Sequence, residues 1–408
     1  MKKILFISSL LISLGVNGQM VTSVGFDTTQ RKIAIDLSAN GELTTSSLSN
    51  AFLFKVGFGG HISRSVTQKE ADRQGEIGRV GFYVDPELSV SLFDVRPFKS
   101  KPWGLKFQAG MLMTGAARIP GSFIGMAMVG NEPYLDKNIK LEGTTLEMMT
   151  AHKIGFGFVD AKTKSSVMLN AYGIQSMMKG ALSGGQMVFS NTGDFFLSMD
   201  GRFDQAKSHA YYVGAGVGVD ASFNLKVGNN SGNDTYFNFS IRNLGVGFLN
   251  NPMERYVVDS SWNYNGFTLN GLSDVSERFD DIEQTMDELG IRKQEGPKAF
   301  LLPMQIHIGK LINESLTKRF QFSYGLRVYV QSAAIPFIYG NAHWRANSWL
   351  RVGAGLHYGG YGGLRGNVYV QGIWEKFVAG VHINNVVGLS TAGRGLSANL
   401  TLGYRINK

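Results

Sequence analysis

Histidine, serine and glycine are the residues that could do chemistry in this chain of 408 residues, which has no cysteine. His61-Ile62-Ser63 puts an imidazole beside a hydroxyl, the pairing of a nucleophile with its base. A three-residue pattern arises by chance in a chain this long, and the ordinary reading is a rim histidine where an outer loop begins. The clusters Gly214-Ala215-Gly216-Val217-Gly218 and Gly353-Ala354-Gly355 mimic pieces of nucleotide fingerprints. No helix follows either one to offer its N-terminus to a phosphate. The seven histidines are scattered, without a pair at metal-ligand spacing, so neither a metal nor a cofactor is expected. No His-Glu-x-x-His, nucleophile-elbow or phosphate-loop pattern occurs, and no catalytic residue is nominated. The expectation is a non-enzymatic protein, with a lipid-hydrolysing enzyme using His61 and Ser63 as a remote alternative.

The elements that carry these residues follow from composition and period. Hydrophobic residues at 43% and aromatics at 12% exclude a disordered chain. Mean hydropathy is −0.05, and no apolar run reaches about 18 residues, which excludes a bundle of membrane helices. Zero cysteines exclude a disulfide scaffold, a zinc ribbon, an iron–sulfur protein and a thiol enzyme. Met1-Lys2-Lys3, then an apolar run from Ile4 to Gly15 and small residues to Gly18, reads as a secretory signal peptide over 1–18. Its removal lowers the formal charge from +9 by the two lysines, leaving a basic mature chain.

Beyond the signal the dominant period is two. Phe320, Phe322, Tyr324, Leu326 and Val328 fall on one face, and Gln321, Ser323, Gly325, Arg327 and Tyr329 on the other. Val213 to Leu225, Phe237 to Ile241 and Leu396 to Tyr404 alternate in the same way. The strands are long, commonly 12 residues or more against the ~5–6 of soluble sheets, and Trp103, Trp344, Trp349 and Trp374 stand near strand ends, where an aromatic belt lies. The fold class is therefore all-β: an antiparallel transmembrane β-barrel of about 14 strands. Its strands are expected from Ala51–Ile62 and Arg79–Val95 through Gly395–Ile406. Short polar connections such as Ala161–Lys164 and Asn347–Ser348 read as periplasmic turns. The long ones, Ser63–Gly78, Ala116–Thr145, Lys179–Ala210 and Asn250–Ala299, all fall on the opposite, extracellular side. Residues 19–50 are expected to be a polar N-terminal segment in the periplasm or lumen, and 51–408 the barrel.

Sorting charges by strand face predicts a basic lumen lining of Lys55, Lys106, Lys153, Lys226, Arg242, Arg327, Arg345, Arg351, Arg365 and Arg405, against only Glu147 and Asp220. In the longest outer loop, Leu272, Val275, Phe279, Ile282, Met286 and Leu289 form one face of a short amphipathic helix. Its remainder is acidic, with Asp274, Glu277, Asp280, Asp281, Glu283, Asp287 and Glu288. It is either a solvated helix packing on loops or a partner, or a lid whose carboxylates meet the basic lumen.

The Phe279-Asp280-Asp281-Ile282 helix, Leu302-Pro303 opening the next strand, the glycine–aromatic series from Gly353 to Gly363 and the terminal Leu402-Gly403-Tyr404 carry a resemblance. The chain resembles uncharacterised outer-membrane barrels of Bacteroidota. More distantly it is similar to the fourteen-stranded long-chain fatty acid transporter and to PorV-like barrels of type IX secretion. The basic lumen departs from an apolar fatty-acid tunnel, and the terminal Tyr404-Arg405-Ile406-Asn407-Lys408 lacks a final aromatic. The resemblance implies a Gram-negative outer-membrane location, with outer-membrane lipids and lipopolysaccharide as surroundings. It implies other outer-membrane proteins or surface lipoproteins as partners, and no nucleic acid. Two functions stay open: an accessory or adaptor subunit of an envelope machine (barrel assembly or type IX secretion), and a gated channel for fatty-acid-like or anionic solutes.

Overall fold

The computed structural model describes residues 31–95, 97–98, 102–206, 210–227, 235–264, 290–312 and 319–407. In chain order the elements are β1 (Arg31–Thr45), α1 (Asn50–Phe58), α2 (Arg64–Asp72), β2 (Ile77–Leu92), β3 (Trp103–Pro120), α3 (Gly121–Val129), β4 (Ile139–Lys140), β5 (Thr145–Asp160) and β6 (Ser166–Phe189). Then come β7 (Phe195–Gln205), β8 (Gly214–Val227), β9 (Thr235–Leu249), β10 (Glu254–Tyr264), β11 (Ile291–Glu295), β12 (Ala299–Leu301) and β13 (Gln305–Leu311). The series ends with β14 (Phe320–Tyr329), β15 (Ile335–Arg345), β16 (Leu350–Gly360), β17 (Arg365–Ile373), β18 (Phe377–Ile383) and β19 (Gly395–Asn407).

Fourteen of these strands close an antiparallel barrel: β1, β2, β3, β5, β6, β8, β9 and β13 to β19. Closure is made by the first and last strands, paired from Arg31↔Asn407 to Thr44↔Gly395, while β1 also pairs with β2. Among the described wall strands no backbone edge is left facing lipid, the condition for a sheet to survive in hydrocarbon. Alternation then fixes the two surfaces. Phe320, Phe322 and Tyr324 are exposed on the outside, while Ser323, Arg327 and Tyr329 are buried within. Outward Ile154, Phe156, Leu169, Val217, Ile308 and Leu356 continue the apolar belt. Arg31 of β1, Asn407 of β19 and the short connections share one end, the periplasmic end by the turn-length rule. Trp103, Trp344, Trp349 and Trp374 gather there, with Trp349 and Trp374 stacked at 5.9 Å.

Two expectations need correction. Residues 31–45 of the supposed N-terminal segment are the closing barrel strand, and Ala51–Ile62 is not a strand. Asn50–Phe58 is a helix, capped by the Ser49 hydroxyl accepting from the Phe52 amide. The physical reason is period: Ile33, Ile35, Leu37 and Leu43 alternate with polar residues, whereas Phe52, Leu53, Phe54 and Val56 are apolar on every side. One strand lost and one gained leaves the count at fourteen. The signal peptide (1–18) and the expected lid helix, with Val275, Phe279, Asp280, Asp281, Ile282, Glu283, Met286, Asp287 and Glu288, lie outside the described residues.

On the extracellular side β6, at 24 residues, outgrows the barrel and pairs with β7; β7 pairs with β10, and β10 with β11. This sheet projects beyond the membrane belt.

Candidate functional site: the sealed lumen

From the periplasmic side the lumen opens as a vestibule of about 390 Å³, walled by Ser89, Ser91, Gln108, Ser166, Asn224 and Asn238. Arg405 is ion-paired with Asp36 at its lip.

The vestibule ends at a cross-lumen ion cluster. Lys153 on β5 donates to Glu87 at 2.7 Å and to Asp220 at 3.3 Å. Arg242 on β9 donates to the same Glu87 at 2.7 Å and pairs with Asp85 at 3.0 Å. Glu87 and Asp85 stand on β2, which β3, β5, β6 and β8 separate from β9 in the wall, so the Arg242 pairs cross the lumen. The remaining lone pairs are taken up: Asp220 accepts from the Gln108 amide (3.0 Å) and the Asn243 backbone N–H (2.7 Å), and Asp85 from the Tyr83 hydroxyl (3.3 Å). Asn243 reaches Asp220 through a left-handed kink, φ 57°. Three carboxylates thus face Lys153, Arg242 and the nearby Lys106, and the charge balances. Burying so many charges is tolerable only with this density of partners.

Above the ions lies an apolar layer. Tyr83, Leu112, Met149, Tyr172, Ile174, Tyr329 and Phe337 form one buried cluster. Tyr83 and Tyr329, from opposite walls, meet edge to face at 5.9 Å. The loop after β14 folds across this layer: Gln331 donates to the Thr114 hydroxyl at 2.7 Å, and the Ser332 amide to Glu147 at 2.9 Å. Tyr361, fully buried in the β16–β17 turn, donates its hydroxyl to Gln331. Burial lifts that phenol well above its ordinary range, so it stays a neutral donor. Beyond the layer a second cavity of about 390 Å³ faces outward, lined by Met148, Met149, Met177, Met253 and Met304, with Lys179 and Arg202 also in its wall.

Of the residues expected to line a basic lumen, Lys106, Lys153, Arg242, Arg327, Arg345, Arg351, Arg365 and Arg405 do sit on inward positions of wall strands. Lys153 and Arg242 come together in the cluster. Arg327 packs on the Phe337 ring (5.9 Å). Arg365 donates to the carbonyls of Thr45 (3.2 Å) and Arg394 (3.4 Å), with Glu42 at 3.8 Å. Arg345 and Arg351 pair across strands at the periplasmic end. Lys226 is exposed near that end of β8. Lys55 is a correction: it rides on α1, because the segment is helical, and so is not on the wall. A second correction concerns sign. Asp36, Glu42, Asp85 and Glu87 also face inward, so the lumen is charge-paired instead of strongly basic. Asp85 and Glu87 were readable, since they alternate with Val84, Leu88 and Val90. Asp36 and Glu42 were lost with β1.

Sequence reasoning also passed over the histidines of the opposite wall. His307 lies between Asn238 (3.0 Å) and the Tyr339 hydroxyl (2.9 Å), and His343 between Ser323 (2.7 Å) and Tyr369 (2.5 Å). Their only signal was their place on the polar face. Among the described residues no three His, Asp or Glu side chains converge as a metal site. His61 is exposed between helices, and the Ser63 hydroxyl pairs with Ser65 at 3.0 Å.

A closed antiparallel wall, an apolar outer surface and a polar, ion-bridged interior define the class: an integral membrane β-barrel of the outer-membrane kind. No family model and no curated protein matches the chain. Among solved structures it is similar to the Pseudomonas putida toluene transporter TodX, at 10% identity and TM-score 0.35, covering 93% of this chain and 90% of that one. The transport unit of the Escherichia coli autotransporter AIDA-I matches at 9% identity and TM-score 0.26, covering 100% and 97%. The Pseudomonas aeruginosa siderophore receptor PirA matches at 9% and 0.23, covering 92% and 81%. These are likenesses of barrel chains, and no cargo is carried over from them.

Proposed function

We propose that the protein is a non-enzymatic outer-membrane barrel acting as an accessory or adaptor subunit of an envelope machine, such as barrel assembly or type IX secretion in a Bacteroidota cell. The observation that carries this reading is the double closure of the lumen, by the Lys153–Glu87–Arg242–Asp85 cluster and by the tyrosine-rich layer above it. A barrel built for diffusion keeps a wet path; this one spends its lumen on rigidity. The projecting β6–β7–β10–β11 sheet supplies a surface for partners such as surface lipoproteins or other barrels.

A gated channel, for anionic or fatty-acid-like solutes, is the second reading. It is favoured by the two cavities that face each other across the closure. Purified protein in planar bilayers, together with co-purification from gently solubilised membranes, separates the two. A silent bilayer and a stoichiometric partner are expected. Steady solute-dependent openings from protein that purifies alone would replace the adaptor reading with the channel.

A further inference from the structure

The three helices at the extracellular end raise a separate question, independent of whether the barrel conducts. Odd positions of β2 face the lumen (Tyr83, Asp85, Glu87), so Gly78 faces out. A Cβ on Gly78 would lie 2.3 Å from Ile124 Cδ1. Helix α3 therefore rests on the outer surface of the wall and not over the mouth. Its height follows from strand geometry: a tilted strand climbs about 2.5 Å along the axis per residue, so a belt ~25 Å tall takes about ten residues. Counted from Leu92, that belt ends near Phe82, and outward Val80 and Ile119, the cross-strand partner of Gly78, carry the apolar face on to the level of α3, at the acyl–headgroup boundary.

The helices at this level are oddly apolar for a water-facing position. In α1 only Asn50 and Lys55 are polar, and in α3 only Ser122. A helix apolar on all sides belongs in an apolar medium. Yet Val56 of α1 is 59% exposed, as are Val387 (58%) and Leu389 (64%) in the loop to which α1 is pinned. The pin is Asn50, whose amide donates to the Gly388 carbonyl (2.7 Å) and accepts from the Gly395 N–H (2.6 Å). Between the two apolar helices runs α2, with Arg64, Lys69 and Arg73 exposed. Of its acids, Glu70 is buried and accepts from the Ser49 N–H (2.9 Å), and Asp72 is exposed and accepts from Gln68 (2.8 Å), so the three exposed cations outnumber the one exposed acid of the helix.

We propose that α1, α2 and α3 form an apron seated in the outer leaflet, with α1 and α3 at the acyl–headgroup boundary and Arg64, Lys69 and Arg73 against anionic lipid phosphates. Continuity with the lipid-facing belt, apolar helices at headgroup depth and the exposed Arg64, Lys69 and Arg73 between them select an anionic lipid surface as the occupant.

Because the chain has no cysteine, single labels are clean. Val56→Cys and Met128→Cys would each carry an environment-sensitive fluorophore in nanodiscs of phosphatidylcholine, with or without phosphatidylglycerol. Ile154→Cys serves as the belt control and Thr192→Cys, at an exposed hairpin tip, as the water control. Acyl-brominated lipid is expected to quench the two apron labels about threefold more than Thr192→Cys, approaching Ile154→Cys. Phosphatidylglycerol should deepen that quenching, and Arg64→Glu/Lys69→Glu/Arg73→Glu should abolish the increment while leaving the belt control and heat-modifiable gel mobility unchanged. Iodide quenching equal to Thr192→Cys would mean a water-exposed apron and overturn the proposal. Labels reached by neither quencher would mean a protein cover, from a second copy or a partner, and overturn it equally.

Discussion

Glu87 is the residue on which the ion cluster turns, because among the described residues it alone bridges Lys153 and Arg242, at 2.7 Å each. Glu87→Gln keeps the shape and removes the charge. At an effective dielectric near 20, each contact at that distance is worth roughly 6 kcal/mol of gross attraction, most of it offset by the cost of keeping the carboxylate from water. Removing one partner of such a buried set costs about 3–5 kcal/mol. The low end applies here, since Lys153 keeps Asp220 at 3.3 Å and Arg242 keeps Asp85 at 3.0 Å. The expected loss is therefore about 3 kcal/mol, roughly 150-fold in the folding equilibrium. Urea titration of folding into phosphatidylcholine vesicles, read by heat-modifiable gel mobility, measures it. Bilayer recordings of the variant should stay silent, because the Tyr83–Tyr329 layer is untouched. A loss below about 1 kcal/mol, the value of an exposed pair, would refute the claim that the cluster is a largely buried bridge across the lumen. Open-channel currents from Glu87→Gln alone would show instead that the apolar layer does not close the lumen.

Gly81→Ala places a Cβ 2.2 Å from the Tyr361 ring, so the ring must leave its seat and release Gln331; a loss of about 1–3 kcal/mol is expected in the same titration. Ile154→Arg, on the belt, should cost about 2–4 kcal/mol, whereas Lys226→Glu, exposed near the periplasmic end, should stay within about 0.5 kcal/mol. Asn50→Ala removes the bonds to Gly388 and Gly395 and leaves buried backbone groups unmatched, costing about 1–3 kcal/mol. Its first sign should be faster tryptic cleavage at Arg394 in the loop that Asn50 holds.

Fold class was legible because a barrel wall is a periodic object. Once Phe320 to Tyr329 alternates, lipid and lumen are assigned together, and long and short connections sort by side. The same rule shows why β1 was missed and α1 misread. Ala39 and Gly41 weaken the outward stripe of β1 between Leu37 and Leu43, while the phenylalanines of α1 imitate a strand by content without its alternation. The two errors cancelled in the count, so parity alone could not expose them. The seal was half legible: the inward side of each ion could be read strand by strand, and Asp85 and Glu87 were there to be found. What period two leaves out is azimuth. Nothing in the spacing of Arg242 says that it faces β2 across the lumen, four wall strands away, and not its neighbour on β8. That choice is made by closure and shear, which only the complete ladder fixes. A list of inward charges therefore cannot separate a basic pore from a neutralised plug. Two barrels with the same inward residues and ladders shifted by one pair of strands would differ in whether Glu87 meets Arg242. The function proposed here depends on that meeting.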